Sequence, residues 1–244
     1  MLLERIVSAC LRGLCRLFTG AQPRWLCDPR SLAPRVYFAN HCSHLDTVVV
    51  WSTLPETLRE RTRPVAARDY WGHGTVRRFI AERVFDALLI DRKAAEGEEQ
   101  LEQHRQQTLD AMTAVLDSER SLILYPEGTR GSGSTVQPFR AGLFHLARAR
   151  PAVPLVPVYL GNLARILPKG AALPVPMQGQ VVFGPAVRAR EVNVAGLFGT
   201  VVLGAGLQMG VGQDPHLLQQ RERPVDRRGV HAGHIVLDLP GERG

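Results

Sequence analysis

Arg35-Val36-Tyr37-Phe38-Ala39-Asn40-His41-Cys42-Ser43-His44-Leu45-Asp46 is the stretch that decides the architecture. Residues 35–39 form a short, mostly apolar run, the pattern of a strand covered on both faces. A polar turn follows at residues 40–46, and residues 47–54 continue as an apolar helical run. Strand, turn and helix in that order make the repeating unit of an α/β sheet.

Working outward, the same alternation recurs. Residues 64–67 read as a strand, 74–83 as a helix and 84–90 as a β-rich run ending at Asp91-Arg92. Residues 96–118 carry Leu101, Thr108, Leu109, Met112, Val115 and Leu116 on one helical face. A buried strand at 121–125 stops at Pro126, a helix follows at 140–150, and strands follow at 153–160 and 180–183. The expected fold is therefore α/β: a single domain with a mostly buried mixed sheet flanked by helices, preceded by an N-terminal amphipathic helix.

That helix covers residues 2–18. Leu2, Leu3, Ile6, Val7, Cys10, Leu11, Leu14, Leu17 and Phe18 occupy one half, and Glu4, Arg5, Ser8, Arg12 and Arg16 the other. It reads either as an ordinary helix docked on the core or as a helix lying in a membrane interface. The charged residues break the apolar run, so no signal peptide is expected. Three segments are expected: residues 1–24 as the membrane-contacting helix, 25–190 as the catalytic domain and 191–244 as a tail. Within that tail, residues 192–213 lack charge but hold six glycines, and read as a weak transmembrane helix, a strand-and-turn appendage or a poorly ordered tail.

Thirty basic residues stand against 23 acidic ones, a net +7 that favours anionic partners. Aromatic residues do not interleave with the basic ones, so no nucleic-acid partner is expected. Cys10, Cys15, Cys27 and Cys42 match neither a zinc pattern nor a disulfide scaffold, which suits a reduced, cytosol-facing protein.

Two segments carry chemistry. In the turn at 40–46, His41 and Asp46 have the spacing for an imidazole–carboxylate pair, in which the carboxylate fixes the tautomer and the far ring nitrogen accepts a proton. The plainer reading makes them a turn histidine and a helix cap. Cys42 and His44 offer rival chemistry as thiol nucleophile or metal ligand, without a partner at a recognised spacing. The second segment, Tyr125-Pro126-Glu127-Gly128-Thr129-Arg130, presents a guanidinium from a loop at the carboxyl end of a strand, where open α/β sheets place ligands. Arg suits a phosphate monoester.

Together, His41-x4-Asp46 and Pro126-Glu127-Gly128-Thr129-Arg130 resemble the glycerolipid acyltransferases, especially the 1-acyl-sn-glycerol-3-phosphate acyltransferases. Two more blocks extend the resemblance over residues 25–187. Residues 153–158 fit the family's last, proline-bearing strand, with Pro157 in it. Residues 85–92 fit its second block in part, with Asp86 where the family usually has Gly and Leu89 where it has Phe, while Arg92 is retained. In the third block Tyr125 and Gly131 stand where Phe and Ser are common.

The resemblance implies acyl transfer from acyl-CoA or acyl carrier protein to the hydroxyl of a lysophospholipid, with phosphatidic acid as the foremost product. His41 and Asp46 would be catalytic. Arg92, Glu127, Gly128, Thr129, Arg130 and Pro157 would bind substrate. Neither a metal nor a cofactor beyond the thioester co-substrate is implied. The enzyme would sit peripherally or monotopically on the cytoplasmic face of a membrane. Acceptors such as glycerol 3-phosphate or an amino-lipid are alternatives, as is a catalytically silent lipid-binding protein on the same fold. A zinc hydrolase using His41, His44, His231 and His234 is a further reading from another class.

Overall fold

The computed structural model describes residues 2–91, 97–131, 133, 136–167, 171 and 173–188. Along the chain run α1 (Leu2–Thr19), β1 (Gln22–Trp25), β2 (Val36–Ala39), α2 (Asp46–Thr53), α3 (Glu56–Arg59), β3 (Thr62–Ala67), α4 (Arg68–Trp71) and α5 (Thr75–Phe79). A π-helical turn, Ile80–Val84, leads to β4 (Leu88–Ile90), α6 (Glu98–Asp117), β5 (Ser121–Leu124), α7 (Gly142–Ala149), β6 (Leu155–Gly161), α8 (Leu163–Ile166) and β7 (Gln180–Phe183).

The strands build one sheet in the order β1-β7-β6-β2-β5-β3-β4. All neighbouring pairs are parallel except β6 with β7. Side chains alternate across it: Tyr37 and Ala39 of β2 enter a core that includes Val49 and Val50 of α2, while Val36 and Phe38 enter a second with Met112, Leu116, Leu143 and Leu146 of α6 and α7. Every residue of β2 and β5 is buried, which is why these strands read as unbroken apolar runs. Because β6, β2, β5, β3 and β4 are mutually parallel, their carboxyl ends share one edge.

Three local features differ from the sequence expectation. The last part of the expected helix at 74–83 is a π-helical turn, Ile80–Val84, closed by Phe85 N–H to the Ile80 carbonyl at 2.9 Å. Asp86 then takes a left-handed backbone, φ 47°, so β4 starts only at Leu88. Its carboxylate meets Arg63 at 3.2 Å and Arg120 at 2.6 Å, holding a conformation that Gly would adopt without strain. Finally, β1 falls at the boundary expected near residue 24. Pro23 and Arg24 disguise it, but an edge strand tolerates both, and Trp25 stacks on Phe183 with ring centroids 3.8 Å apart.

The N-terminal helix docks on the domain through its mixed face. Cys15 and Thr19 are buried, and Glu4 pairs with Arg83 at 2.7 Å. Leu2, Leu3, Ile6, Leu14 and Leu17 remain exposed, Leu17 at 71%. A helix attached only to complete the core would turn these leucines inward.

Candidate active site

His41 and Asp46 stand at the carboxyl end of β2, the first in the turn and the second opening α2. Asp46 is 0% exposed, and one of its oxygens, Oδ2, accepts three hydrogen bonds: from His41 Nδ1 at 2.8 Å, Cys42 N at 2.6 Å and Ser43 N at 2.9 Å. An oxygen that receives two backbone donors is an acceptor, so the His41 proton lies on Nδ1 and leaves Nε2 as the basic nitrogen. The ring, 22% exposed, stacks on Tyr125 with centroids 4.4 Å apart. Asn40 fixes the strand exit: its amide donates to the Leu160 carbonyl at 2.9 Å and accepts from Leu160 N at 2.8 Å.

The second segment leaves β5, the neighbour of β2, and is laced to the first. Glu127 accepts from His41 N at 2.7 Å and from Gln137 N at 2.9 Å. Gly131 N donates to the His41 carbonyl at 2.8 Å. Glu127 is buried, and this burial raises its pKa above the ordinary carboxylate value. With both oxygens engaged by backbone amides, Glu127 shapes the loop. Gly128 is required at φ 72°, where a Cβ would stand 2.5 Å from the Arg140 Nε.

A cleft of about 340 Å³ opens at this edge, lined by His41, His44, Gly128 and Arg130, with Val65, Ile90, Met112 and Leu143 among its apolar wall residues. The structure thus brings together His41, Asp46, Gly128 and Arg130. Thr129 is exposed and is not among the cleft-lining residues. Arg92 lies outside the described residues, as do His231, His234 and the segment 191–244. Pro157, expected to bind substrate, is a buried residue of β6 opposite Phe38. Its carbonyl accepts from Gly184 N at 2.7 Å, so it serves the sheet and does not line the cleft. No group of three His, Cys, Asp or Glu side chains among the described residues is placed to hold a metal. The Cys42 thiol is buried against Asp46, and both burial and that charge raise its pKa, which disfavours a thiolate.

His44 has a place that sequence reasoning missed. Arg130 donates to its Nε2, so the ring is neutral there and its Nδ1 proton faces the Tyr70 hydroxyl at 3.3 Å. Burial and then the Arg130 charge lower the His44 pKa below its ordinary 6.5. The contact is therefore intact at neutral pH and is lost only as acid overtakes that depressed value. Replacing His44 by Ala removes this support of Arg130 and is expected to weaken binding of inorganic phosphate in the cleft about tenfold, the worth of one charge-assisted hydrogen bond, as read by calorimetric titration. Phosphate affinity equal to wild type across the pH range would remove His44 from this role.

A mostly parallel α/β sheet that carries a His–Asp pair and a guanidinium on adjacent strand ends defines the class of fold and site. The chain belongs to the acyltransferase family, whose model matches residues 29–161. It is 30% identical over 136 residues to the 1-acyl-sn-glycerol-3-phosphate acyltransferase alpha of Mus musculus, covering 53% of this chain and 41% of that protein. It is 29% identical over 145 residues to the 1-acyl-sn-glycerol-3-phosphate acyltransferase of Salmonella typhimurium, covering 55% of this chain and 50% of that one. The chain thus spans about half the length of the curated relatives it matches. The crystal structure of the 1-acyl-sn-glycerophosphate acyltransferase PlsC from Thermotoga maritima shares the fold at a TM-score of 0.51 and 15% identity, covering 91% of this chain and 83% of that one.

Proposed function

We propose that the protein transfers a fatty acyl group from an acyl thioester to the free hydroxyl of a lysophospholipid, 1-acyl-sn-glycerol-3-phosphate foremost, giving phosphatidic acid. One observation carries this reading: the free Nε2 of a carboxylate-oriented histidine shares a cleft with Arg130 and an apolar wall. His41 takes the hydroxyl proton as the oxygen attacks the thioester carbonyl. The tetrahedral adduct then collapses, the C–S bond breaks, and the imidazolium returns its proton to the departing sulfur. Asp46 holds the ring and stabilises its charged form. Arg130 seats the acceptor phosphate, which places the hydroxyl near the base. A thioester is already activated, so the chain's own residues suffice for each step, and acyl-CoA or acyl carrier protein is the co-substrate.

The test is a panel of lyso-acceptors offered with acyl-CoA and with acyl carrier protein, followed by thiol release and lipid product. Lysophosphatidate should be used best. Preference for glycerol 3-phosphate or an amino-lipid would reassign the acceptor, and thiol release with none of them would end the reading.

We further propose that the enzyme works docked on the cytoplasmic face of a membrane. Among the described residues no helix is long and apolar enough to cross one, and the exposed leucine face of α1 supports docking in its plane. Because α1 is packed on the domain, the informative change is Leu14→Gln with Leu17→Gln, not deletion. Each partly exposed leucine is worth about 1–2 kcal/mol on burial, so roughly a hundredfold weaker liposome flotation is expected, with activity on short-chain acceptor kept. Unchanged flotation would move the anchor away from α1.

A further inference from the structure

We propose that Arg140 is a second cation of the acceptor site, which, with Arg130, selects phosphate monoesters over phosphodiesters. This rests on the acyl-transfer reading only for the identity of the acceptor. The anion site itself follows from the geometry. Arg140 and Arg130 line the same cleft, and Arg140 N donates to the Pro126 carbonyl at 2.8 Å, tying it to the loop that carries Arg130. Its guanidinium lies across Gly128, in space that any side chain there would fill.

The electrostatics point the same way. Arg63, Arg83, Arg120 and Arg150 each end on a carboxylate, whereas no carboxylate among the described residues bonds the exposed Arg140 guanidinium. Arg140 stands just before Ala141, the N-cap residue of α7, whose first residues Gly142 and Leu143 also line the cleft and whose amino terminus has no side-chain cap, adding partial positive charge. A phosphate monoester carries about −1.5 to −2 at neutral pH, and a phosphodiester carries one negative charge. Arg130 alone matches the diester, whereas two guanidinium groups match the monoester and approach it as forks.

The experiment compares wild type with Arg140→Gln and Arg140→Lys by steady-state kinetics and by calorimetric titration with glycerol 3-phosphate. The exposed position predicts unchanged melting. The acceptor KM should rise roughly 10–100-fold in Arg140→Gln, the span expected for a lost charge-assisted contact, with an intermediate rise in Arg140→Lys and the acyl-CoA KM within about twofold of wild type. Glycerol 3-phosphate affinity should fall in parallel. A raised acyl-CoA KM with unchanged acceptor KM would assign Arg140 to the donor and overturn the proposal, as would unchanged values for both. Should wild type transfer no acyl group to lysophosphatidate, the reaction reading fails, and the titration alone decides: binding lost in Arg140→Gln sustains the anion site, and no phosphate binding by wild type refutes it.

Discussion

Replacing His41 by Ala is expected to leave a folded protein whose acyl transfer is about 10²–10⁴-fold slower, the span for loss of a positioned general base. The fold survives because the neighbouring ties run through the backbone. His41 N still donates to Glu127 and the His41 carbonyl still accepts from Gly131. Asp46 loses one donor and keeps the Cys42 and Ser43 amides. The defect should fall on kcat, with both KM values close to wild type, since no phosphate contact is touched. Thermal melting and thiol release on the same preparation check both halves. A folded variant with near wild-type turnover would mean that another group takes the proton.

The contrast with His44→Ala is informative, because the two histidines occupy one short turn. His41 Nδ1 is held by a carboxylate and its other nitrogen is free for the cleft. His44 uses both nitrogens on Arg130 and Tyr70. The first arrangement suits proton transfer and the second holds a cation. Spacing in the sequence separates them only partly, since Tyr70 and Arg130 approach His44 from distant parts of the chain.

That division runs through the whole reading. β2 and β5 were legible because they are buried on both faces, and their polar exits named the two loops that meet in the cleft. The α6 face was legible from its helical period. β1 was not, because an edge strand needs no apolar run, nor was the late start of β4, which depends on the backbone of Asp86, on Arg63 of β3 and on Arg120 just ahead of β5. In the site, local motifs pointed to His41, Asp46 and Arg130, which the structure brings to one sheet edge. Glu127 was placed in the correct loop, but its work as a clamp between loops depends on the adjacency of β2 and β5. For Pro157 a substrate contact is implied only by the family resemblance of its strand, and the sheet order encloses that strand between β2 and β7. Arg140 carried no local signal, since its meaning arises from the fold of its loop over Gly128.

Asp46→Asn is the second large effect, and it separates chemistry from architecture at one atom. Oδ2 serves His41 and two backbone amides, while Oδ1 faces the Cys42 thiol at 3.7 Å. The backbone donors require an oxygen at the Oδ2 position, so the asparagine amide nitrogen takes the Oδ1 position beside sulfur, a weak acceptor. The turn is kept and His41 remains bonded, now to a neutral carbonyl that cannot stabilise an imidazolium. Transfer should fall about 10²–10⁴-fold through kcat, as expected when the positioned base loses its charge partner, with a modest drop in melting temperature. Asp46→Ala behaves differently. It leaves three donors without an acceptor in a fully buried site, at about 1–3 kcal/mol each, a large share of a typical stability of 5–15 kcal/mol. That variant should be poorly folded as well as inactive. If Asp46→Asn retained wild-type kcat, the carboxylate would be a turn-former alone, and the chemistry would rest on His41 without a charged partner.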